Sequence, residues 1–329
     1  MKNTMFQMLR YLLTVAICLS VLASSTISLA TGNESAPYVV SFPEESEPNN
    51  ILLAANVISL NNIMTGYISE SGDVDFFALN SPNEPNVTVT ISLQVSNAVE
   101  KNYYYLTVFD SNETVLAQTT SSVKTVTLLA SDGPFIIKVY RSGTGYSTTT
   151  QYTISTSSVA AMTVPLYTQS ENNTCGAASV RMILASYGLY YGEDAIVAKA
   201  NELSGNQGTY VYAQALVLNY YLSARGMTTR YQYADMTNST VDTYDSRLWN
   251  NVANGYPVLV VLKISDTTYF PYTSSGHYMV VTSLNRSSSQ NNVTVNDPHY
   301  NYSDEYVLPV SVLKTYGDNH SGYVVYVNN

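Results

Sequence analysis

The hydrophobic rhythm of the chain changes partway along its length. From Glu47 to about Thr156, apolar and polar residues alternate in short runs: NVTVTISLQV, YYYLTVFD, VKTVTLLA, FIIKVYR and YTISTS. These runs are rich in Val, Ile, Thr and Tyr and are parted by clusters of Asn, Gly, Ser and Asp. Period-two alternation puts every second side chain on one face of a sheet, so several such runs with almost no helical spacing predict an all-β sandwich over residues 47–156. A small-residue stretch, 157–162, reads as a linker. Beyond it the period lengthens. Ala178, Met182, Ile183, Leu184 and Tyr187 recur at helical spacing, and Gly188 offers the stop. Helical patterns follow in DAIVAKANEL, YAQALVLNYYLSA and SRLWNNVANG, then extended runs in PVLVVLKI, HYMVVTSL, NVTVND and GYVVYV. Helices first and antiparallel strands after predict an α+β domain over 163–329. A chain of this length exceeds what one core usually organises, which agrees with a multidomain reading.

Composition adds the compartment. Lys2 and Arg10 precede an apolar run from Tyr11 to Leu22, and small residues end at Ala30, the pattern of a secretory signal over 1–30. A polar, Pro-containing lead-in fills 31–46. No later segment is long and apolar enough to span a bilayer, so a secreted protein without a transmembrane anchor after cleavage is expected. Removing the signal takes two of the 14 basic residues and leaves 12 against 24 acidic ones. An acidic chain with no Lys/Arg cluster is not expected to bind nucleic acid.

Cysteine arithmetic sharpens this. Cys18 leaves with the signal, so Cys175 would be the lone thiol in an oxidising compartment, either buried and inert or kept for reactivity. Its position favours reactivity. Cys175 falls at the predicted start of the first helix, where unpaired N–H groups and the helix dipole favour thiolate. Gly176 permits a tight turn beside the sulfur, and Ala177 and Ala178 leave room for a substrate. A thiolate needs a base, and the chain offers only His277, His299 and His320. His277 heads an apolar strand, Asp297 ends the next, and NRSSSQ between them is a turn. An antiparallel hairpin folded there would set His277 and Asp297 opposite each other or nearly so, with Asp297 orienting the imidazole. His299 lacks a strand partner, and His320 reads as a loop residue. Gln169, six residues before Cys175, could join the Cys175 N–H in stabilising an oxyanion. Zinc is not expected, since no HxxxH or CxxC spacing occurs.

The stretches VPLYTQSENNTCGAASVRMIL, NGYPVLVVL, SGHYMVVTSL and VNDPHY, in that order, resemble the papain-like cysteine peptidases of the C39-like family, related to the bacteriocin-leader, double-glycine peptidase domains. The resemblance implies a papain-like fold and a peptide or protein substrate, with no cofactor required for catalysis. By motif, Cys175 would be the nucleophile, His277 the base and then acid, Asp297 its orienting partner and Gln169 the oxyanion donor. Residues 47–156, chiefly Glu47-Pro48-Asn49-Asn50 and Gly72-Asp73-Val74-Asp75-Phe76-Phe77, resemble the bacterial pre-peptidase C-terminal domain, a β-sandwich accessory of secreted peptidases. Here that module precedes the catalytic region. Attachment to a cell surface or extracellular matrix is one role it could serve. Glu47, Asp73 and Asp75 could give oxygen ligands to calcium, or the aspartates could simply satisfy turns. Two alternatives stay open beside the secreted cysteine peptidase: a cell-wall amidase or transpeptidase on the same triad, and an inactive papain-like adhesion protein. The β-module is expected to be dispensable for chemistry.

Overall fold

A computed structural model describes residues 42–208 and 210–328, so the expected signal over 1–30 and residues 31–41 of the expected lead-in lie outside the described residues. The alternating runs do form strands: β1 (Asn56–Ile58), β2 (Ile63–Tyr67), β3 (Val74–Leu79), β4 (Val87–Val95), β5 (Tyr104–Phe109), β6 (Val115–Gln118), β7 (Thr125–Leu129), β8 (Phe135–Arg141) and β9 (Gln151–Ala161). One layer has the order β1-β3-β8-β5-β6, and a second sets β2 and β4 against β9 and β7 against β4. Every second residue of β4 and β9 is buried, which is the alternation read from sequence. Those buried residues meet the first layer in one core, where the Tyr152 ring lies 6.4 Å from both Phe77 and Tyr104.

The second half contains α1 (Cys175–Ser186), α2 (Glu193–Ser204), α3 (Val211–Ala224), β10 (Tyr231–Asp235), α4 (Val241–Ala253), β11 (Val258–Ile264), β12 (Ser274–Arg286), β13 (Asn292–Asp297), β14 (Asp304–Pro309), α5 (Val310–Asp318) and β15 (Tyr323–Val327). Helices and strands therefore interleave more than the expected helices-then-strands order, with β10 before α4 and α5 between β14 and β15. The apolar run Val258–Leu262 of β11 has a simple cause: it is covered on both faces. Leu259 and Val261 pack with Val180, Ile183, Leu218 and Leu222 of α1 and α3. Val258, Val260 and Leu262 pack with Leu248 and Val252 of α4 and Leu313 of α5. Helix α1 stops where expected, with Gly188 at φ +75° and the Leu189 N–H returning to the Leu184 carbonyl.

The stretch read as a linker behaves otherwise. Ser157 to Ala161 continue β9, with Ser158 and Ala160 buried, and pair with the far end of β12 from Arg286↔Ser158 to Ser283↔Ala161. Small residues that resemble a loop in composition still alternate, and their backbone groups are satisfied by β12. The result is one ten-stranded sheet running β10-β15-β11-β12-β9-β4-β7, with β13, β14 and β2 branching from it. Side chains reinforce the seam: Trp249 Nε1–H donates to Glu84 at 3.2 Å and Asn86 donates to the Ala253 carbonyl. Among the described residues no helix is long and apolar enough to cross a membrane.

Candidate active site

Cys175 is the first residue of α1, and Thr174 before it makes no side-chain cap. Instead the Thr174 hydroxyl closes a turn with Glu171, accepting its N–H and donating to its carbonyl. Glu193, buried at the start of α2, accepts from the Ser170 N–H and hydroxyl and so ties down the loop ahead of the cysteine. Of the first-turn amides of α1, the Gly176 N–H bonds the sulfur, and the Ala178 N–H returns to the Thr174 carbonyl. Burial pushes the Cys175 thiol up, but the His277 hydrogen bond and charge, with the backbone N–H groups of Tyr278 and Gly176, hold it below its ordinary value.

His277 sits near the head of β12, opposite Leu262 of β11, and is buried. Its Nε2 lies 2.6 Å from Asp297 Oδ1, which leaves Nδ1 for the sulfur. Burial alone would lower the imidazole, yet hydrogen bonds and charges of Asp297 and Cys175 raise it to about 9. The hairpin turns within the expected polar stretch, but a bulge between Val281 and Ser283 shifts the register, so Val280 faces Asn296. Asp297 is thereby a diagonal neighbour of His277 on the same face of the sheet, still within hydrogen-bond reach.

Asp297 is fully buried with three donors: His277, the His299 N–H to Oδ1 at 2.8 Å, and the Tyr272 hydroxyl to Oδ2 at 2.5 Å. Tyr272 comes from the β11–β12 connection and was not singled out by the sequence, because a phenol in an aperiodic loop carries no spacing signal. Its ring meets His277 edge-on at 5.8 Å and lies 4.1 Å from the His299 ring. His299 thus touches Asp297 through its backbone, while its half-buried ring is held below its ordinary pKa by burial and by the His277 charge.

Gln169 is buried, and its backbone N–H donates to the Pro298 carbonyl at 2.7 Å, linking the cysteine loop to the end of β13. Its Nε2 donates to the Glu171 carbonyl at 2.6 Å, which takes one of the two amide hydrogens. A cavity of about 480 Å³ opens beside Cys175, with walls that include Gln214, Tyr278 and His320. His320 is the loop residue expected, in the turn before β15, and lies against Gly276, where an added Cβ would stand 2.6 Å from its Nε2.

The acidic residues of the first half divide differently from the expectation. Glu47 and Asp75 do come together, but their third member is Glu45, with an oxygen from each within 4.8 Å of the others. Asp73 is taken by Ser69, whose N–H and hydroxyl both bond Oδ2. Burial and neighbouring carboxylates raise Asp75 to about 9 even though the Tyr152 hydroxyl donates to it. Asp75 Oδ1 and Asn49 Oδ1 are buried with no hydrogen-bond partner among the described residues.

Residues 161–321 match the family model described as Peptidase_C39 like family. Among solved structures the chain is similar to a double glycine motif protease from an AMS/PCAT transporter in complex with the leader peptide, at 16% identity over 51% of this chain and 93% of that one, TM-score 0.33. It is similar to the peptidase domain of Streptococcus ComA, a bifunctional ABC transporter involved in quorum sensing, at 21% identity over 50% and 98%, TM-score 0.30. A further likeness is to the pre-peptidase C-terminal domain of collagenase from Bacillus anthracis, at 19% identity over 35% and 98%, TM-score 0.25. No curated protein matches.

Proposed function

Because residues 161–321 belong to the Peptidase_C39-like family of cysteine-type peptidases, we propose that this protein is a secreted peptidase hydrolysing peptide bonds through Cys175, His277 and Asp297, with Gln169 as oxyanion donor. The observation that carries the reading is the bonded series from Cys175 through His277 to Asp297 beside an open cavity. Cys175 Sγ attacks the scissile carbonyl carbon, and the oxyanion receives the Cys175 N–H and the second Gln169 amide hydrogen. Protonated His277 delivers its Nδ1 proton to the leaving amine as the C–N bond breaks. Neutral His277 then takes a proton from water, whose oxygen attacks the thioester and releases the acid. Asp297 holds the ring orientation through both steps.

The test is turnover of a mixed peptide library with Cys175→Ala as control, beside iodoacetamide alkylation at neutral pH. Rapid alkylation with peptide cleavage supports the reading. Alkylation with turnover of peptidoglycan but not peptides would move the chemistry to cell-wall acyl transfer, and a sluggish thiol would make the domain a binding module.

For the first half we propose an accessory β-sandwich that holds calcium on Glu45, Glu47 and Asp75. Carboxylate oxygens and the unpartnered Asp75 and Asn49 oxygens suit a hard cation that takes six to eight oxygen ligands. Calcium should raise the melting temperature in a concentration-dependent way and EGTA reverse it, an effect Asp75→Asn abolishes. An identical melt with and without calcium would remove the proposal.

A further inference from the structure

The cavity beside Cys175 contains two side-chain amides whose orientation is fixed by a single residue. Gly208 lies between α2 and α3; Asn201 Oδ1 accepts its N–H at 3.0 Å, and Gln214 Nε2 donates to its carbonyl at 2.6 Å. The Gly208 backbone therefore decides which end of each amide is nitrogen and which is oxygen. What it leaves unused is complementary: a donor, Asn201 Nδ2, and an acceptor, Gln214 Oε1. Both residues line the cavity. Gln214 is 1% exposed, and its Oε1 is buried with no hydrogen-bond partner among the described residues. A buried acceptor left unpaired is destabilising, so a ligand that supplies its donor recovers that penalty.

The amide also stands against the catalytic backbone. An added Cβ at Gly176 would lie 3.1 Å from Gln214 Cδ, so the glycine after the cysteine is what admits Gln214 to this position. That differs from the turn-making role expected of Gly176. Val197, Ala200, Val261 and Tyr278 give the same cavity its apolar lining, and Glu171 and His320 also stand on its wall. A charged side chain set against Asn201 and Gln214 would lose its hydration to two neutral amides, which is unfavourable. A carboxylate would in addition meet Gln214 Oε1 acceptor to acceptor.

We propose that Asn201 and Gln214 form a specificity subsite that reads an asparagine or glutamine side chain of the substrate next to the scissile bond. Resting on the peptidase reading above, the proposal names its substrate class. The substrate carboxamide donates an N–H to Gln214 Oε1 and accepts the Asn201 Nδ2–H in its carbonyl oxygen. Subsites built on hydrogen bonds discriminate strongly because the analogue lacking the group leaves buried partners unpaired.

The test compares two matched peptide series, Gln against Met and Asn against Leu, at each position around the cleaved bond. Wild type should favour the carboxamide at one position by at least tenfold in kcat/KM. Asn201→Asp keeps the Oδ1 bond to the Gly208 N–H while replacing the donor by a carboxylate oxygen. Its carboxamide preference should collapse below about threefold, and peptides with Lys or Arg at that position should gain relative to Gln. Gln214→Met should lose the preference as well. Binding of the same peptides to full-length Cys175→Ala, by calorimetry, reads the subsite without turnover. If wild type cleaves peptides with no side-chain preference, or Asn201→Asp keeps the preference, the amides bind substrate backbone or nothing and the proposal falls while the peptidase reading stands. If nothing is cleaved yet Cys175→Ala binds Gln peptides tenfold tighter than Met peptides, the peptidase reading falls and the subsite stands.

Discussion

Replacing Asp297 by Asn tests how the His277 proton is held. Asp297 is the buried centre of three donors, and Asn keeps one oxygen for the His277 and His299 N–H groups. Its amide would face the Tyr272 hydroxyl, which can rotate to accept. Geometry is thus largely preserved, and what changes is charge. A hydrogen bond to a charged group contributes about 1.5–3 kcal/mol against roughly 0.5–1.5 for a neutral pair. The difference, about 1–1.5 kcal/mol, corresponds to about one pKa unit and about tenfold in rate. His277 is raised to about 9 with Asp297 as the first of the groups raising it.

The expected outcome for Asp297→Asn is therefore a basic limb of kcat/KM moved down from about 9 by at least about one unit, with a ten- to hundredfold loss at the optimum. Wild type should show a bell: the acid limb follows the lowered Cys175 thiol, the basic limb the raised imidazole. The linkage sign agrees. A raised histidine stabilises the fold fully below its ordinary pKa, and that contribution is lost as pH rises through about 9. The assay is a kcat/KM profile on one peptide, paired with iodoacetamide alkylation rates over the same range. A variant basic limb still at about 9 would refute the claim that the Asp297 charge sustains the imidazolium.

Cys175→Ala and His277→Ala should each lower kcat by at least about a thousandfold, and the double variant should be no worse than either, because the residues act as one unit. His299→Ala should cost less than about tenfold, since Asp297 is touched by the His299 backbone rather than its ring; a dead His299→Ala beside an active His277→Ala would reverse the assignment. Tyr272→Phe removes one donor to Asp297 Oδ2 and should cost about tenfold in kcat with folding intact by circular dichroism; no change in kcat would make that bond structural only. Residues 163–329 expressed alone should melt at least about 5 °C below the full chain by calorimetry, because β12 loses its β9 partner and Trp249 its Glu84 acceptor; an equal melt would restore the reading of 157–162 as a linker.

The parts of the molecule legible in sequence are those whose cause is local. A thiol between a polar loop and a helical period reads as a helix start, and α1 begins at Cys175. A polar turn between two apolar runs reads as a hairpin, and β12 and β13 form it. The bulge at Thr282 was not legible, since nothing in HYMVVTSL distinguishes the residue that drops out of register. Where distant segments meet, sequence signals were weak or misleading. Glu45 joins Glu47 and Asp75 only because its segment crosses the end of β2, whose Tyr67 N–H donates to it at 2.7 Å. His320 reaches Gly276 only because the turn between α5 and β15 passes over the head of β12.

The seam between the two halves follows the same logic with a larger consequence. SSVAA is small and polar enough to pass for a tether, and only the existence of an open edge at the end of β12 turns it into strand. Once it does, β12 carries His277 near its start and the β9 pairing over its last residues, Ser283 to Arg286. A free spacer would leave the strand bearing the base indifferent to the module. A shared sheet makes the module part of the frame on which that strand is held, so substitutions at buried β9 positions such as Ser158 and Ala160 are felt first in the register of β12. Between that register and the base lies the bulge at Thr282, on which the diagonal placement of Asp297 depends.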